Sequence, residues 1–443
     1  MEKQTLYRFN EWWLNGIVRP ELTGKFEREN YKEIKERIED RQILLLYGLR
    51  RVGKTTTMYR LISDLMKAGT EPTNIFYFSF DEISWDIEEV ISLYLGNILR
   101  MPIAEAGSVY IFLDEIQKAK QWENRIKIFY DLYPNLKFVL SGSASLNIVK
   151  GSTETLAGRI FRIKIDPLSF HEFVAFKGRT VAYEKVQFAG DILRPLFTEY
   201  IEMGGFPELV GETDRWKIKT YIRSIVIDRI ITGDIPQEFG IRDMDLLKRL
   251  MEIILQTPGM IVNVDKLASS LGRNRLTISN FISYMEYAFL IKLVSNYRPV
   301  TSSASRKLKK VYPYLPAFYM SLLSLTERYD TGKVFENIVL NSVQLEYYYR
   351  NGPTEIDFVL TIDGRTVPIE VKSGNYDIKE VAKAFTRIGQ ESGILITQDS
   401  YHIAQTSNVK IFLYPIEVFA MYPHELLRQF LSQGGKESFT DES

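Results

Sequence analysis

The stretch LLLYGLRRVGKTTTMYRLI, Leu44 to Ile62, constrains the fold of this chain more than any other. Gly48, Gly53, Lys54 and Thr55 stand at the spacing G-x-x-x-x-G-K-[ST]. The apolar run Ile43 to Leu46 before it predicts a buried parallel strand. After it, Met58, Leu61, Ile62, Leu65 and Met66 recur at helical spacing until Gly69 offers a stop. Strand, glycine-rich loop and helix in this order build a phosphate cradle, because the glycines let backbone N–H groups converge on phosphate oxygens and the helix points its positive end at them. Lys54 is expected on the β- and γ-phosphates and Thr55 on Mg²⁺ through its hydroxyl, with Thr56 beside them in the nucleotide site.

At 443 residues the chain exceeds one ordinary core, and three or four domains are expected. Lys plus Arg balance Asp plus Glu at 56 each, so any nucleic-acid surface must come from local patches. The lack of cysteine excludes disulfides, thiol catalysis and thiolate metal sites. Three scattered histidines, His171, His402 and His424, argue against a histidine zinc site or a Ser-His-Asp triad. No run of about eighteen uncharged apolar residues occurs and the N-terminus has no signal-peptide pattern, so a cytoplasmic protein without membrane contact is expected. The tail from 431 to 443 is expected to be disordered.

A second acidic strand follows the cradle. VYIFLDEI ends in Asp114, suited to orient Mg²⁺ through water, and Glu115, placed as general base for the attacking water. The next strand, KFVLSGSAS, offers Ser141 or Ser143 as a γ-phosphate sensor, with loop and helix-cap chemistry as the alternative. Arg159 and Arg162 precede or enter the following strand. Arg159 is the stronger candidate to stabilise the transferring phosphoryl group, in cis or from a neighbouring subunit, which makes a homo-oligomer an open expectation.

These residues resemble the archaeal-type P-loop ATPases, an AAA-like and STAND-related group, through GLRRVGKTT, IFLDEIQ, LSGSAS and GRIFRIKIDPLSFHEF. The likeness covers roughly residues 20 to 240. It implies ATP binding and hydrolysis, and it adds Arg50 and Arg51 of the loop to the nucleotide site. No Asn-Lys-x-Asp guanine-reading motif is present, which favours ATP.

Residues 181 to 250 read as a helical lid. From 251 to 320 the order short helix, turn at Gly272, amphipathic helix and apolar strand is that of a winged helix-turn-helix. Leu276, Ile278, Phe281, Ile282 and Met285 form the expected buried face. Arg273, Asn274, Arg275, Thr277 and Asn280 form a polar face of residue types that read base edges. Arg306, Lys307, Lys309 and Lys310 are candidate phosphate contacts. DNA is therefore the expected partner, with packing against the ATPase as the alternative use of such a unit.

The C-terminal stretch TEIDFVLTIDGRTVPIEVKSGN reads as two alternating strands joined at Asp363-Gly364, a favoured two-residue turn. Counting outward from Ile362 opposite Arg365 sets Asp357 opposite Glu370 and Glu355 opposite Lys372. Facing carboxylates destabilise a sheet unless something lies between them, and a divalent cation is the natural occupant. Lys372 would stand beside it, and Glu336 from the preceding helix would complete the set. The constellation is similar to the PD-(D/E)xK restriction-endonuclease-like nucleases over about residues 325 to 425, within an expected domain of residues 321 to 430. That likeness implies Mg²⁺ or Mn²⁺, a Val371 carbonyl ligand, and Asp357, Glu370 and Lys372 as catalytic residues. Glu355-Ile356 stands where the pattern has Pro-Asp.

The expected whole is an α/β protein. A parallel-sheet P-loop ATPase core in residues 1 to 180 is followed by the lid, the winged helix and an α/β nuclease-like domain. Its expected work is ATP turnover coupled to DNA handling and metal-dependent cleavage. The alternative is an ATP-controlled assembly switch with an inactive nuclease-like domain.

Overall fold

The computed structural model describes residues 3–81, 85–143, 155–297, 308–406 and 408–433. Arg306 and Lys307 and the tail from 434 lie outside them. The chain forms two compact units, Met1–Pro167 with Asp234–Gly240, and Leu168–Gly233 with Ile241–Ser443. Among the described residues no helix is long and apolar enough to cross a membrane.

The first unit is built on a parallel sheet of β1 (Ile43–Gly48), β2 (Ile75–Ser79), β3 (Val109–Asp114), β4 (Leu136–Ser143) and β5 (Ile160–Lys164), in the order β2-β3-β4-β1-β5. β2 and β3 are buried throughout, as their apolar runs require when both sheet faces are covered. The expected strand, loop and helix appear as β1 followed by the helix Lys54–Lys67, which buries Met58, Leu61, Ile62 and Leu65. The parallel register brings Gly48 beside Ser143, and Ser79 beside Asp114, so the functional ends of the strands share one edge. That edge is where open parallel sheets place their ligands.

The second unit contains a nine-stranded sheet in the order β13-β14-β12-β11-β10-β9-β7-β8-β6. Its strands are β6 (Met260–Ile261), β7 (Ile291–Asn296), β8 (Lys309–Pro313), β9 (Tyr347–Asn351), β10 (Thr354–Ile362), β11 (Arg365–Val371), β12 (Ser392–Thr397), β13 (His402–Thr406) and β14 (Val409–Pro415). The helices Val264–Leu271 and Arg275–Tyr287 precede β7 and β8, the order expected of the winged-helix segment. Leu276 was expected inside, but it is 69% exposed, because the first turn of its helix lies beyond the packed face of Ile278, Phe281, Ile282 and Met285.

The expected division at residue 320 does not separate two sheets. β7 pairs in parallel with β9, Ser295 beside Tyr347 and Asn296 beside Tyr348. The buried Asn296 side chain seals this seam, donating to the Arg350 carbonyl at 3.0 Å and accepting from the Arg350 N–H at 3.0 Å. The strands expected as a wing and those of the C-terminal segment are therefore one sheet.

The hairpin of β10 and β11 turns as expected. Asp363 and Gly364 have φ of 49° and 75°, the left-handed pair that suits a two-residue hairpin, and Ile362 pairs with Arg365 through to Phe358 with Ile369. Beyond this, β10 shifts register against β9 between Ile356 and Val359. The bulge re-aims Glu355, whose partners are Lys310 at 2.6 Å and Arg350 at 3.7 Å. The expected Glu355–Lys372 pairing is thus replaced, and Lys310 is buried in an ion pair within the sheet where a phosphate contact was expected.

Candidate functional site

The loop after β1 is held in a cradle by its own surroundings. A Cβ on Gly48 would lie 2.2 Å from the Ile165 carbonyl oxygen, so only glycine lets β1 run this close to the chain after β5. Arg28, which belongs to none of the motifs above, donates to the carbonyls of Val52 at 2.9 Å and Asp166 at 2.7 Å, tying the loop to the same segment. Lys54 is almost fully buried and donates to the carbonyls of Gly48 at 3.1 Å and Leu49 at 2.8 Å. Burial lowers its pKa, against the pull of Glu115 and Asp114. A buried ammonium satisfied only by neutral carbonyls is suited to accept an anion.

Thr55 Oγ1 donates to Asp114 Oδ2 at 2.7 Å, bringing together the two residues expected on Mg²⁺. Thr55 and Thr56 are both exposed on the first turn of the helix. Ser141 is completely buried, and its hydroxyl donates to Asp114 Oδ1. This corrects its expected role: Ser141 sits behind the aspartate and holds it, and has no access to a phosphate. Ser143, at the end of β4, accepts from Gln117 Nε2 at 2.8 Å, and the same amide donates to Glu115. Gln117 thus links the expected general base to the strand end. Gln117 closes the motif IFLDEIQ, but no role of its own was expected of it there. Glu115 itself has φ of 53°, a left-handed conformation that turns it out of the strand.

Arg50 Nε pairs with Asp234 at 2.6 Å, both largely buried, while its Nη2 is buried without a hydrogen-bond partner. Arg51 follows in the loop with φ of 66°. Arg159 stands elsewhere. Its carbonyl accepts from the Ile43 N–H at 2.8 Å, at the start of β1, whereas the phosphate loop follows the end of that strand. Six residues of strand separate them, about 17 Å at the usual rise. The Arg159 side chain pairs with Asp131 at 3.0 Å and lies over Tyr130. A role in cis on the phosphoryl group is therefore excluded. The donors that do converge, a buried ammonium, an orphaned guanidinium nitrogen and a hydroxyl touching a carboxylate, fit a nucleoside triphosphate with Mg²⁺.

The C-terminal site gathers Asp357 and Glu370 as expected. Asp357 Oδ2 accepts from the Val371 N–H at 2.9 Å, and Glu370 Oε2 accepts from the Asp357 N–H at 3.2 Å. Lys372 donates to Glu370 Oε1 at 2.6 Å. Burial, then Glu370 and Glu336, push the Asp357 carboxyl well above its usual range, with Lys372 and Lys310 opposing. Burial also raises Glu370, against Lys372. Lys310, from β8, holds Glu355 below the usual glutamate range despite the cost of burying it.

Glu336 lies near enough to act on Asp357 but does not join it as a third ligand. Its two oxygens accept from Tyr312 at 2.7 Å and Lys333 at 2.8 Å. Among the described residues, no group of three or more His, Asp or Glu is gathered for a metal. Two carboxylates with substrate oxygens and water suffice for Mg²⁺, so the pair fits that ion while the expected three-carboxylate set does not form. Lys310 and Tyr312 are the residues that reasoning along the C-terminal segment missed, because both come from a strand more than forty residues upstream.

On the polar face of the helix Arg275–Tyr287, Asn274 caps the helix by accepting from the Thr277 N–H at 2.8 Å. Arg273 pairs with Asp243 at 2.9 Å and Arg275 with Asp265 at 3.3 Å, all exposed. Exposed pairs of this kind are weak and screened by salt.

Residues 40–174 match a family model described as an AAA domain. This stretch is a P-loop ATPase-like domain. Residues 194–329 and 331–418 match two domains of unknown function, DUF8612 and DUF4143. An uncharacterized protein of Haemophilus influenzae is 29% identical over 287 residues, which are 61% of this chain and 66% of that relative, so the chain spans about two thirds of its length. The uncharacterized protein MJ1544 of Methanocaldococcus jannaschii is 26% identical over 74% of each chain. Among solved structures, the Walker-type ATPase PABY2304 of Pyrococcus abyssi aligns over 69% of this chain and 97% of its own, at 15% identity and a TM-score of 0.39. A Thermotoga maritima RuvB, a Holliday junction branch migration motor, aligns over 64% of this chain and 96% of its own, at 19% identity and a TM-score of 0.30.

Proposed function

We propose that this chain binds and hydrolyses ATP with Mg²⁺ at the loop from Gly48 to Thr56, and that turnover is coupled to DNA handling with metal-dependent phosphodiester cleavage at the C-terminal carboxylates. The observation that carries the ATPase reading is the direct contact of Thr55 with Asp114, next to a Glu115 turned out of the strand. Mg²⁺, when bound there, neutralises phosphate charge. Thr55 and Asp114 are the residues to hold it, Lys54 and the free Nη2 of Arg50 answer the phosphate oxygens, and Glu115 polarises the attacking water.

At the C-terminal site, Asp357, Glu370 and the Val371 carbonyl are the residues to hold Mg²⁺ or Mn²⁺, which supplies Lewis acidity when bound. Lys372 keeps the Glu370 carboxylate in place and stands ready to orient a water. The helix Arg275–Tyr287, with Asn274 at its cap, is the candidate DNA face. A second reading has its own support. Glu336, Glu355 and Glu370 each already pair with a lysine, so the site is nearly neutral without a cation, as a binding module in an ATP-controlled assembly switch would need.

The deciding experiment incubates the full chain with duplex and single-stranded DNA in Mg²⁺ or Mn²⁺, with and without ATP, beside Lys54→Ala and Asp357→Ala. Loss of ATP turnover in Lys54→Ala and metal-dependent cleavage absent from Asp357→Ala are expected. ATP turnover without cleavage under any condition favours the switch. Unchanged turnover in Lys54→Ala rejects the ATPase assignment.

A further inference from the structure

Asp114 is held by more than the residues a nucleotide site requires. Besides Thr55 on Oδ2 and Ser141 on Oδ1, the phenol of Tyr77 donates to Oδ2 at 2.9 Å. Tyr77 lies in β2, the outer strand of its sheet, and is 2% exposed. The Tyr59 ring, from the helix after the phosphate loop, lies 4.7 Å away and limits where the Tyr77 ring can go.

The backbone of Tyr77 is itself clamped from the N-terminal segment. Asn10, completely buried, accepts from the Tyr77 N–H at 2.7 Å and donates to the Tyr77 carbonyl at 2.9 Å. One side-chain amide thus takes the place of a neighbouring strand on the open edge of β2. Trp12 and Trp13 add indole donors to the Ile75 carbonyl, at 3.1 Å and 2.9 Å. The same Asn10 amide donates to the Leu6 carbonyl at 2.8 Å, which fixes it to the N-terminal helix Lys3–Phe9. A continuous chain of bonds therefore runs from that helix through Asn10 and the Tyr77 backbone to the Asp114 carboxylate.

We propose that Tyr77 is a positioning residue for Asp114, fixing the carboxylate in the orientation that receives Mg²⁺ with the nucleotide, and that Asn10 sets the place of Tyr77. Tyr77 shares Oδ2 with Thr55, so it remains on the carboxylate when the Thr55 hydroxyl turns to other work. The N-terminal segment is in this way part of the nucleotide site without reaching it. The inference rests on the ATPase reading and is tested by binding, so that turnover is not needed.

The probe is a fluorescent ATP analogue, titrated into the full chain in EDTA and in Mg²⁺. The ratio of the two affinities isolates the contribution of the ion. Tyr77→Phe removes one donor to a charged group and little volume. It should leave the EDTA affinity within about two-fold and cut the Mg²⁺-dependent gain about ten-fold. Asn10→Ala, which retains the phenol but frees the edge of β2, should cut the gain by a smaller factor, and Asp114→Ala should abolish it. A Tyr77→Phe chain with the full wild-type gain overturns the proposal, as does an Asn10→Ala chain with the full gain for the part assigned to Asn10. Should Tyr77→Phe fail to fold, Tyr77→Met, which also lacks the hydroxyl, takes its place, and the full wild-type gain in that variant overturns the proposal. Unaltered analogue binding in Lys54→Ala would instead reject the nucleotide site on which the inference rests.

Discussion

Replacing Asp357 by Asn separates charge from shape at the C-terminal site. The Asn side chain has nearly the same volume, and its carbonyl oxygen can accept the Val371 N–H that Asp357 Oδ2 accepts at 2.9 Å, so no backbone donor is orphaned. What changes is a buried carboxyl facing Glu370, with Glu336 nearby and Lys372 and Lys310 in partial compensation. Its folded pKa lies above the unfolded value. The stability it contributes is then fully present below the unfolded pKa and is lost as pH rises through the folded pKa. In metal-free buffer the Asn variant should melt above wild type at alkaline pH, and the difference should close on acidification. A divalent cation bound between the carboxylates reverses the order. At one hundred times its Kd it stabilises wild type by about 2.7 kcal/mol. At about 2–4 °C per kcal/mol, the melting temperature should rise by about 5–10 °C. Scanning calorimetry from about pH 5 to 9, with EDTA or Mn²⁺, reads both effects. Coincident curves for the two proteins across that range would refute the like-charge argument. An equal Mn²⁺ shift in both would place the ion elsewhere.

Three further outcomes follow from the first unit. Gly48→Ala sets a methyl against the Ile165 carbonyl, backbone that has no rotamer to yield, and should destabilise by about 1–3 kcal/mol and impair nucleotide binding, read by calorimetry and titration. Arg159→Ala should leave ATP turnover of the isolated chain within two-fold of wild type, because the side chain stands at the opposite end of β1 from the phosphate loop; a steady-state assay checks it. Arg50→Ala and Asp234→Ala should not be additive in urea denaturation, with a coupling of about 0.5–3 kcal/mol for this largely buried pair, and nucleotide should reduce that coupling if Arg50 turns toward phosphate.

Local patterns were legible in the sequence wherever a short-range rule fixes geometry. The phosphate loop, the acidic strand end at Asp114 and the Asp363-Gly364 turn all depend on neighbours within a few residues, and each stands where the motif sets it. The hairpin register followed by counting, as far as Phe358 with Ile369. Counting failed at Glu355 because a bulge against β9 and a lysine from β8 intervene, and neither is encoded in the hairpin. Arg159 was misplaced for a different reason. In a parallel sheet the residue before a strand lies opposite the ligand edge, so strand polarity alone would have excluded the role in cis. Ser141 was misread because a hydroxyl near a strand end looks the same whether it faces solvent or the carboxylate of the adjacent strand. Asn10 gave no signal at all, since a single amide replacing a strand leaves no periodic pattern.

The Asn296 seam has a consequence for how the chain can be divided. The two matched stretches meet between residues 329 and 331, yet the strands on either side of that point share one hydrogen-bonded ladder, and from one side Tyr312 donates to the Glu336 carboxylate and Lys310 neutralises Glu355 on the other. A fragment beginning at residue 331 would bare the edge of β9, leave Glu336 without Tyr312 and leave Glu355 without Lys310, with only Lys333 and Arg350 remaining on these carboxylates. A chimaera exchanging only the last segment with a relative would inherit the same mismatch unless β7 and β8 travelled with it. The portable piece is the ladder together with its buried charges, and the compact unit that carries it reaches back to Leu168.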